Sequence, residues 1–223
     1  MIEFLVATAK KLFLVLFIAG ASTACAGSFE DFFIAVKQDN AGKVNELLTR
    51  GFDANTIDPK GRTGLAIALQ EPSPKVVQVL IDWPKTDINK LNPQGESILM
   101  LVSLKGQLDL AGKLIKKGAD VNKTGWTPLH YAASGGHAAL ISLLLENSAY
   151  IDAESPNGST PLMMAAMYGS EASVRMLLQE GADTALKNQQ GLSALDFAQR
   201  GKRPDSLEAI AAAIRSKRPA GKW

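Results

Sequence analysis

Apolar positions along this chain recur in a fixed frame. Counting from Glu30, Thr63, Ser97, Thr127, Thr160 and Ser193, position +2 is Phe32, Leu65, Leu99, Leu129, Leu162 and Leu195. Position +5 is Ala35, Ala68, Val102, Ala132, Ala165 and Ala198, and position +14 is Val44, Val77, Ala111, Ile141, Val174 and Leu207. Positions +17 and +18 are Leu47-Leu48, Leu80-Ile81, Leu114-Ile115, Leu144-Leu145, Leu177-Leu178 and Ile210-Ala211. Successive frames lie 33, 34, 30, 33 and 33 residues apart. Positions +14, +17 and +18 are spaced i, i+3, i+4, one stripe of a helix. From the second frame on, the frame residue is Thr or Ser, which caps a helix by accepting a first-turn N–H, and in two frames Pro follows, where its missing N–H costs nothing. Each frame therefore predicts a short capped helix, a turn and a second helix.

The stretch Thr127-Pro128-Leu129-His130-Tyr131-Ala132-Ala133, with Gly136-His137 and Leu143-Leu144-Leu145 after it, resembles the ankyrin repeat, whose period is 33 and whose signature is T-P-L-H-x-A. Gly118-Ala119-Asp120-Val121-Asn122 and Gly181-Ala182-Asp183 match that family's G-A-D-V-N. The resemblance covers about Glu30 to Ile214. It implies an all-α, curved solenoid of about six helix–turn–helix units with β-hairpin-like fingers, over residues 27–216, in frames 30–62, 63–96, 97–126, 127–159, 160–192 and 193–216. A single unit buries too little to fold alone, so interfaces between units decide stability.

The frames differ where physical roles differ. In the first, Glu30-Asp31 replace the cap and place acids at an expected helix N-terminus. Gly42-Lys43 are expected to turn the chain into a second helix, Val44 to Arg50, ended by Gly51, and Asp58-Pro59-Lys60-Gly61 to form a turn. In the second, Pro84 stops the helix at or before Trp83. The third lacks three residues between Asn122 and Gly125, which predicts a stunted finger at 122–126, with Asn122 standing where Asn188 stands later. In the fourth, Ser148 replaces the helix-ending glycine, and Asn147 is expected to supply the left-handed residue. The last helix is expected over Ser206 to Arg215, with a basic disordered tail at 217–223.

Residues 1–26 read as a secretory signal peptide: Lys10-Lys11, an apolar core from Leu12 to Ala19, and Ala24-Cys25-Ala26 in the A-x-A cleavage pattern. That predicts a periplasmic or secreted protein starting at Gly27. A second reading makes Cys25, the lone cysteine, the lipidated first residue of an envelope lipoprotein, although Ser22 departs from the usual lipobox. Membrane attachment is expected only with lipidation or an uncleaved signal.

Composition narrows the function. A net charge of +2 with 46% hydrophobic and 6% aromatic residues is globular, without the basic stripe nucleic-acid binding needs. His130 and His137 are the two histidines, and both stand at structural positions of the repeat. No Cys/His metal spacing, phosphate-cradling glycine loop or Ser-His-Asp set is present. No enzyme and no cofactor is expected; Met100, Met163, Met164, Met167 and Met176 read as gap-filling core. What the resemblance implies is a monomeric scaffold that binds another protein through finger tips and the inner face of the first helices. Carried onto this chain, that face comprises Lys60, Arg62, Gln94, Trp126, Asn157 and Gln190 from the fingers and Lys105, Met167 and Tyr168 from the helices. Trp126, Met167 and Tyr168 are the expected anchors, because aromatics and Met are enriched in interface cores.

The register makes a direct prediction. Leu144→Asp should lower the melting temperature far more than Lys105→Asp; equal shifts in a thermal melt would refute the frame.

Overall fold

The computed structural model describes residues 27–217. The expected signal peptide, Cys25 with it, and residues 218–223 of the expected tail lie outside the described residues. Within them the chain is all-helical, with no strand and one isolated antiparallel bridge, Ile57 to Thr63. The described residues fall into two compact units that divide between Asp87 and Ile88, inside the second frame. The first holds α1, whose described part covers 27–37, then α2 (Ala41–Thr49), α3 (Gly64–Gln70) and α4 (Pro74–Asp82). The second holds α5 (Ile98–Leu104), α6 (Leu108–Lys116), α7 (Pro128–Gly135), α8 (Ala138–Glu146), α9 (Pro161–Tyr168), α10 (Glu171–Gln179), α11 (Ala194–Arg200) and α12 (Pro204–Lys217). First helices stack on first helices, α5 on α7 on α9 on α11, and second helices on second helices, α6 on α8 on α10 on α12.

The caps follow from the frame. Thr63, Ser97, Thr127, Thr160 and Ser193 are the N-caps of α3, α5, α7, α9 and α11, and Pro128 and Pro161 open their helices. The first frame differs: residues 27–29 are already helical, so Glu30 and Asp31 lie within α1 and not at its start. Phe29 meets Phe33 edge-on at 4.9 Å, an i,i+4 pair that supports the earlier turn. The chain also turns into α2 sooner than expected. Asp39 takes φ +51° and Asn40 caps the helix by accepting the Lys43 N–H, which leaves Gly42 inside the first turn. At the end of α8, Ser148 itself takes φ +66° while Asn147 stays at −101°, so the left-handed strain falls on the serine. The final helix runs past the expected 206–215 at both ends, and Lys217 closes it.

Position +17 is the deepest line of the core, at most 2% exposed in all six frames. Position +18 departs from expectation. Leu48 and Ile81 are buried, but Ile115, Leu145, Leu178 and Ala211 are half-buried, turned roughly 100° further round their helices. Met100 and Met163 are buried as expected, whereas Met164, Met167 and Met176 are half-exposed and belong to the surface.

Main-chain contact sets the spacing of the first helices in the second unit. A Cβ on Gly135 would lie 2.7 Å from the Leu104 carbonyl oxygen, one on Gly169 2.3 Å from that of Ala133, and one on Gly201 2.7 Å from that of Met167. Gly169 has φ −79°, which any residue tolerates, so its requirement is spatial. Gly169→Ala is expected to cost about 1–3 kcal/mol by overpacking against rigid backbone, measured by urea denaturation; an unchanged midpoint would show that the helices separate freely.

Candidate functional site

The fingers are short closed loops, each built by an Asx or Ser residue at its base. Asp58 N–H donates to the Arg62 carbonyl at 2.9 Å, and Asn92 to Glu96, Ser155 to Ser159 and Asn188 to Leu192 repeat that bond at 2.9–3.0 Å. The Asp58 carboxylate also accepts the N–H groups of Lys60 and Arg62, at 2.9 and 2.8 Å; Asn92 and Asn188 do the same in their fingers. Among the described residues, the finger at 122–126 has no such bond, which is the expected shortening.

Asn122 has a different part from the one its spacing suggested. It donates to the Ser148 carbonyl (2.7 Å) and accepts the Tyr150 N–H (2.9 Å). Asn55 makes the same two bonds, to Lys85 and Asp87, and Asn89 makes them to Gly118 and Asp120. Asp152 accepts the Asp183 N–H at 3.1 Å and, lacking an amide, has no donor for the carbonyl. Asn122 thus aligns with Asn55, Asn89 and Asp152, not with Asn188. The recurrence of Asn or Asp at these positions was readable; that it joins neighbouring repeats was not.

A second rung lies at the helix ends. His137 Nε2 donates to the Leu104 carbonyl at 3.0 Å, Ser170 Oγ to that of Gly136 at 2.9 Å, and Arg203 Nη2 to that of Tyr168 at 3.2 Å. At the N-caps, the residue three on accepts the cap's own N–H. His130 Nδ1 does so for Thr127 at 3.2 Å, Asp196 Oδ2 for Ser193 at 2.7 Å, and the thioethers of Met100 and Met163 for Ser97 and Thr160 at 3.3 and 3.4 Å. Because Nδ1 accepts the main-chain N–H, the His130 proton sits on Nε2, which donates to the Ser159 carbonyl at 2.9 Å. Burial outweighs its hydrogen bonds and pushes the imidazole down to about 4. The role of the two methionines as cap acceptors is one that sequence reasoning missed.

The anticipated partner residues fall in different settings. In the first unit Lys60 is exposed, whereas Arg62 is absorbed by its own finger. Its Nε and Nη2 donate to Asp58 Oδ2 at 2.9 and 2.7 Å, and Nη1 to Gln70 Oε1 at 2.9 Å. Burial opposes ionisation of Asp58, but Arg62 and the two N–H groups outweigh it and hold the carboxyl below its usual range. In the second unit Gln94, Asn157, Gln190 and Lys105 are exposed. Trp126 is half-buried and meets the His130 ring edge-on at 5.2 Å, so part of it serves packing. Leu104, Ser134, Met167 and Arg200 share one register position on α5, α7, α9 and α11, and form a row along the stack. Leu104 is 45% and Tyr168, beside Met167, 54% exposed; Ser134, small and hydrogen-bonded to its own helix, stands between Leu104 and Met167 in the row. Tyr131 also borders this row: its hydroxyl donates to Glu96 at 2.8 Å, and burial with the adjacent carboxylate raises its pKa.

Outside this row, a groove of about 820 Å³ runs over α6, α8 and α10, with Leu108, Gly112, Leu143 and Met176 as apolar lining and Lys113 and Lys116 at its edge. Among the described residues no group of His, Cys, Asp or Glu is placed to hold a metal ion, and no helix is long and apolar enough to cross a membrane.

A family model for ankyrin repeats in three copies matches residues 32–124, 70–155, 100–188 and 143–217 in overlapping windows. The B-cell lymphoma 3 protein homolog of Mus musculus is 29% identical over 152 residues, 65% of this chain and 34% of that protein. The nuclear factor NF-kappa-B p105 subunit of Gallus gallus is 31% identical over 166 residues, 71% of this chain and 17% of that protein. The chain thus spans about a third or less of these relatives. Among solved structures, a chain in the complex of the Bd0816 predatory endopeptidase from Bdellovibrio bacteriovorus with immunity protein Bd3460 is 30% identical, with TM-score 0.69 over 82% of this chain and 97% of that one. An ankyrin repeat domain from Acinetobacter baumannii AYE superposes with TM-score 0.71 at 22% identity, over the same shares of the two chains, a likeness of fold.

The tautomer predicts a pH response. The folded pKa of His130 lies below the ordinary 6.5, so its contribution is complete above pH 6.5 and declines as pH falls from there to about 4, the interval in which the unfolded chain takes the proton and the folded chain does not. Roughly 3 kcal/mol should be lost across that window. His130→Met, which keeps the cap acceptor, should flatten the fall in unfolding free energy between pH 6.5 and 5. An unaltered slope would refute the assignment.

Proposed function

The chain belongs to the ankyrin repeat family and is a protein–protein interaction domain, and from that premise we propose that it is a non-enzymatic scaffold, exported from the cytoplasm, that binds one partner protein through the first-helix row and adjoining finger tips of its second unit. The observation that carries this reading is the row itself. Leu104 and Met167 present apolar surface at equivalent positions of stacked helices, with Tyr168 next to Met167 and with Lys105 and Arg200 beside them. Large apolar side chains held on rigid elements and bordered by charge form the centre-and-rim pattern of protein interfaces.

Export rests on the signal-peptide pattern of residues 1–26. A solved chain that this chain covers to 97% lies in a complex of a predatory endopeptidase with an immunity protein, which supports a peptidase as the first partner class to test. A second reading, an envelope lipoprotein supporting another envelope component, is favoured by the position of Cys25 within the cleavage zone. Lipid labelling of wild type and Cys25→Ala, followed by fractionation, separates the two.

Crosslinking in the native cell tests the face. Tyr168→Ala should lose the captured partner at unchanged melting temperature. Trp126→Ala should weaken capture with some loss of stability, because that ring also packs on His130. An unchanged capture pattern in both variants would dismiss this face.

A further inference from the structure

Each finger turns on a glycine, and the residue before it is Lys60, Gln94, Thr124, Asn157 or Gln190. Of these, Asn157 alone carries a carboxamide whose carbon the following main-chain nitrogen can reach through a five-membered ring. We propose that Asn157-Gly158 is a self-modification site, at which the fourth finger converts its own asparagine to aspartate and isoaspartate.

Three features of this finger favour the reaction. Asn157 is exposed, and its Oδ1 accepts two hydrogen bonds, from Ser155 Oγ at 2.6 Å and from the Ser159 N–H at 3.2 Å. The second bond folds the side chain forward over the Asn157–Gly158 peptide as an Asx turn does, so the loop it closes contains the Gly158 nitrogen. Both donors reach the oxygen on which negative charge develops when that nitrogen adds to Cγ, the arrangement that stabilises an oxyanion, the Ser159 N–H being shared with Ser155 Oγ at 3.0 Å. Gly158, at φ +75°, brings no side chain to obstruct ring closure. The other fingers place Asx at the base, where Pro93 follows Asn92 and Gln189 follows Asn188; proline has no N–H to give up, and glutamine brings a side chain to the attacking residue.

The step balances without oxidant or cofactor. The Gly158 N–H leaves its bond to the Ser155 carbonyl, 2.8 Å in the resting finger, and gives its proton to solvent base. A bond forms from that nitrogen to Asn157 Cγ, the bond from Cγ to Nδ2 breaks, and Nδ2 departs as ammonia with a proton from water. Water then opens the cyclic imide at either carbonyl, giving aspartate or isoaspartate. Both products place a carboxylate in the finger. Isoaspartate also adds a methylene to the main chain and turns the Asn157 carbonyl, which accepts the Gln189 N–H at 3.0 Å, into the free carboxylate, next to the bond from Gln189 Nε2 to the Pro156 carbonyl (3.0 Å). The modification therefore alters both charge and spacing of adjoining finger tips.

Peptide mapping by mass spectrometry of the full chain, incubated in mildly alkaline buffer folded and in urea, tests this. The folded chain should convert residue 157 several-fold faster than the denatured chain, and faster than any other asparagine. Ser155→Ala, with folding checked by thermal melt, should slow the folded rate several-fold. If Ser155→Ala fails to fold, Asn157→Gln in the wild-type finger should abolish the mass change while retaining the melt. Residue 157 intact in the folded chain after the denatured chain has converted would overturn the proposal, as would a folded rate no faster than the denatured one.

Discussion

The second unit depends on how closely its first helices approach. Where Gly135, Gly169 and Gly201 face the carbonyls of Leu104, Ala133 and Met167, there is no room for even a methyl group. Side chains of ordinary size would hold helices 8–10 Å apart; glycine lets the last turns meet backbone to backbone. The exposed carbonyls at the helix ends come within reach of His137, Ser170 and Arg203, three unlike donors doing one job at one register position. The close approach also fixes the spacing of Leu104, Ser134, Met167 and Arg200, so the surface row inherits its geometry from contacts beneath it.

The repeat was legible because it is written in burial. Position +17 must be apolar in every copy, since it lies where neighbouring pairs close on each other. Polar positions were less legible because several residues can satisfy one donor. Nothing in the spelling of Met100 or Met163 announces a thioether facing an N-cap N–H, yet both stand where His130 and Asp196 do the same. Asn122 was misplaced for a different reason: the three-residue loss drew it into the finger, although Gly118-Ala119-Asp120-Val121-Asn122 already sets it level with Asn55, where its bonds to Ser148 and Tyr150 put it. Ser148 was missed because a left-handed residue is inferred from composition, and asparagine is the better guess wherever both stand together.

The candidate face was legible as a place more than as a list. Register identifies which residues lie on the first-helix row, but not which retain free polar atoms. Arg62 illustrates the gap. Its charge suggests a partner contact, while its guanidinium is spent on Asp58 and Gln70. Asn157 likewise gives its amide oxygen to its own finger. Finger residues are drawn into closing the loop because a tight turn leaves N–H groups that need acceptors. Along the helix row the backbone bonds are already made, so its side chains are not drawn into closing a loop.

The interchange of His130, Met100, Met163 and Asp196 has a consequence for how the array responds to acid. All four accept the same kind of cap N–H, but two can titrate. His130 must stay neutral, and its depressed pKa makes its repeat weaken as pH falls below the ordinary imidazole value. Asp196 must stay charged; its bonds to Ser193 hold its pKa below the usual carboxylate, so its repeat weakens at lower pH still. The thioethers at Met100 and Met163 do not respond. Acid therefore loosens α7 and α11 first and leaves the caps of α5 and α9, on either side of α7, intact. Stability is graded along the stack by the chemistry of one recurring position, while the geometry of that position stays the same.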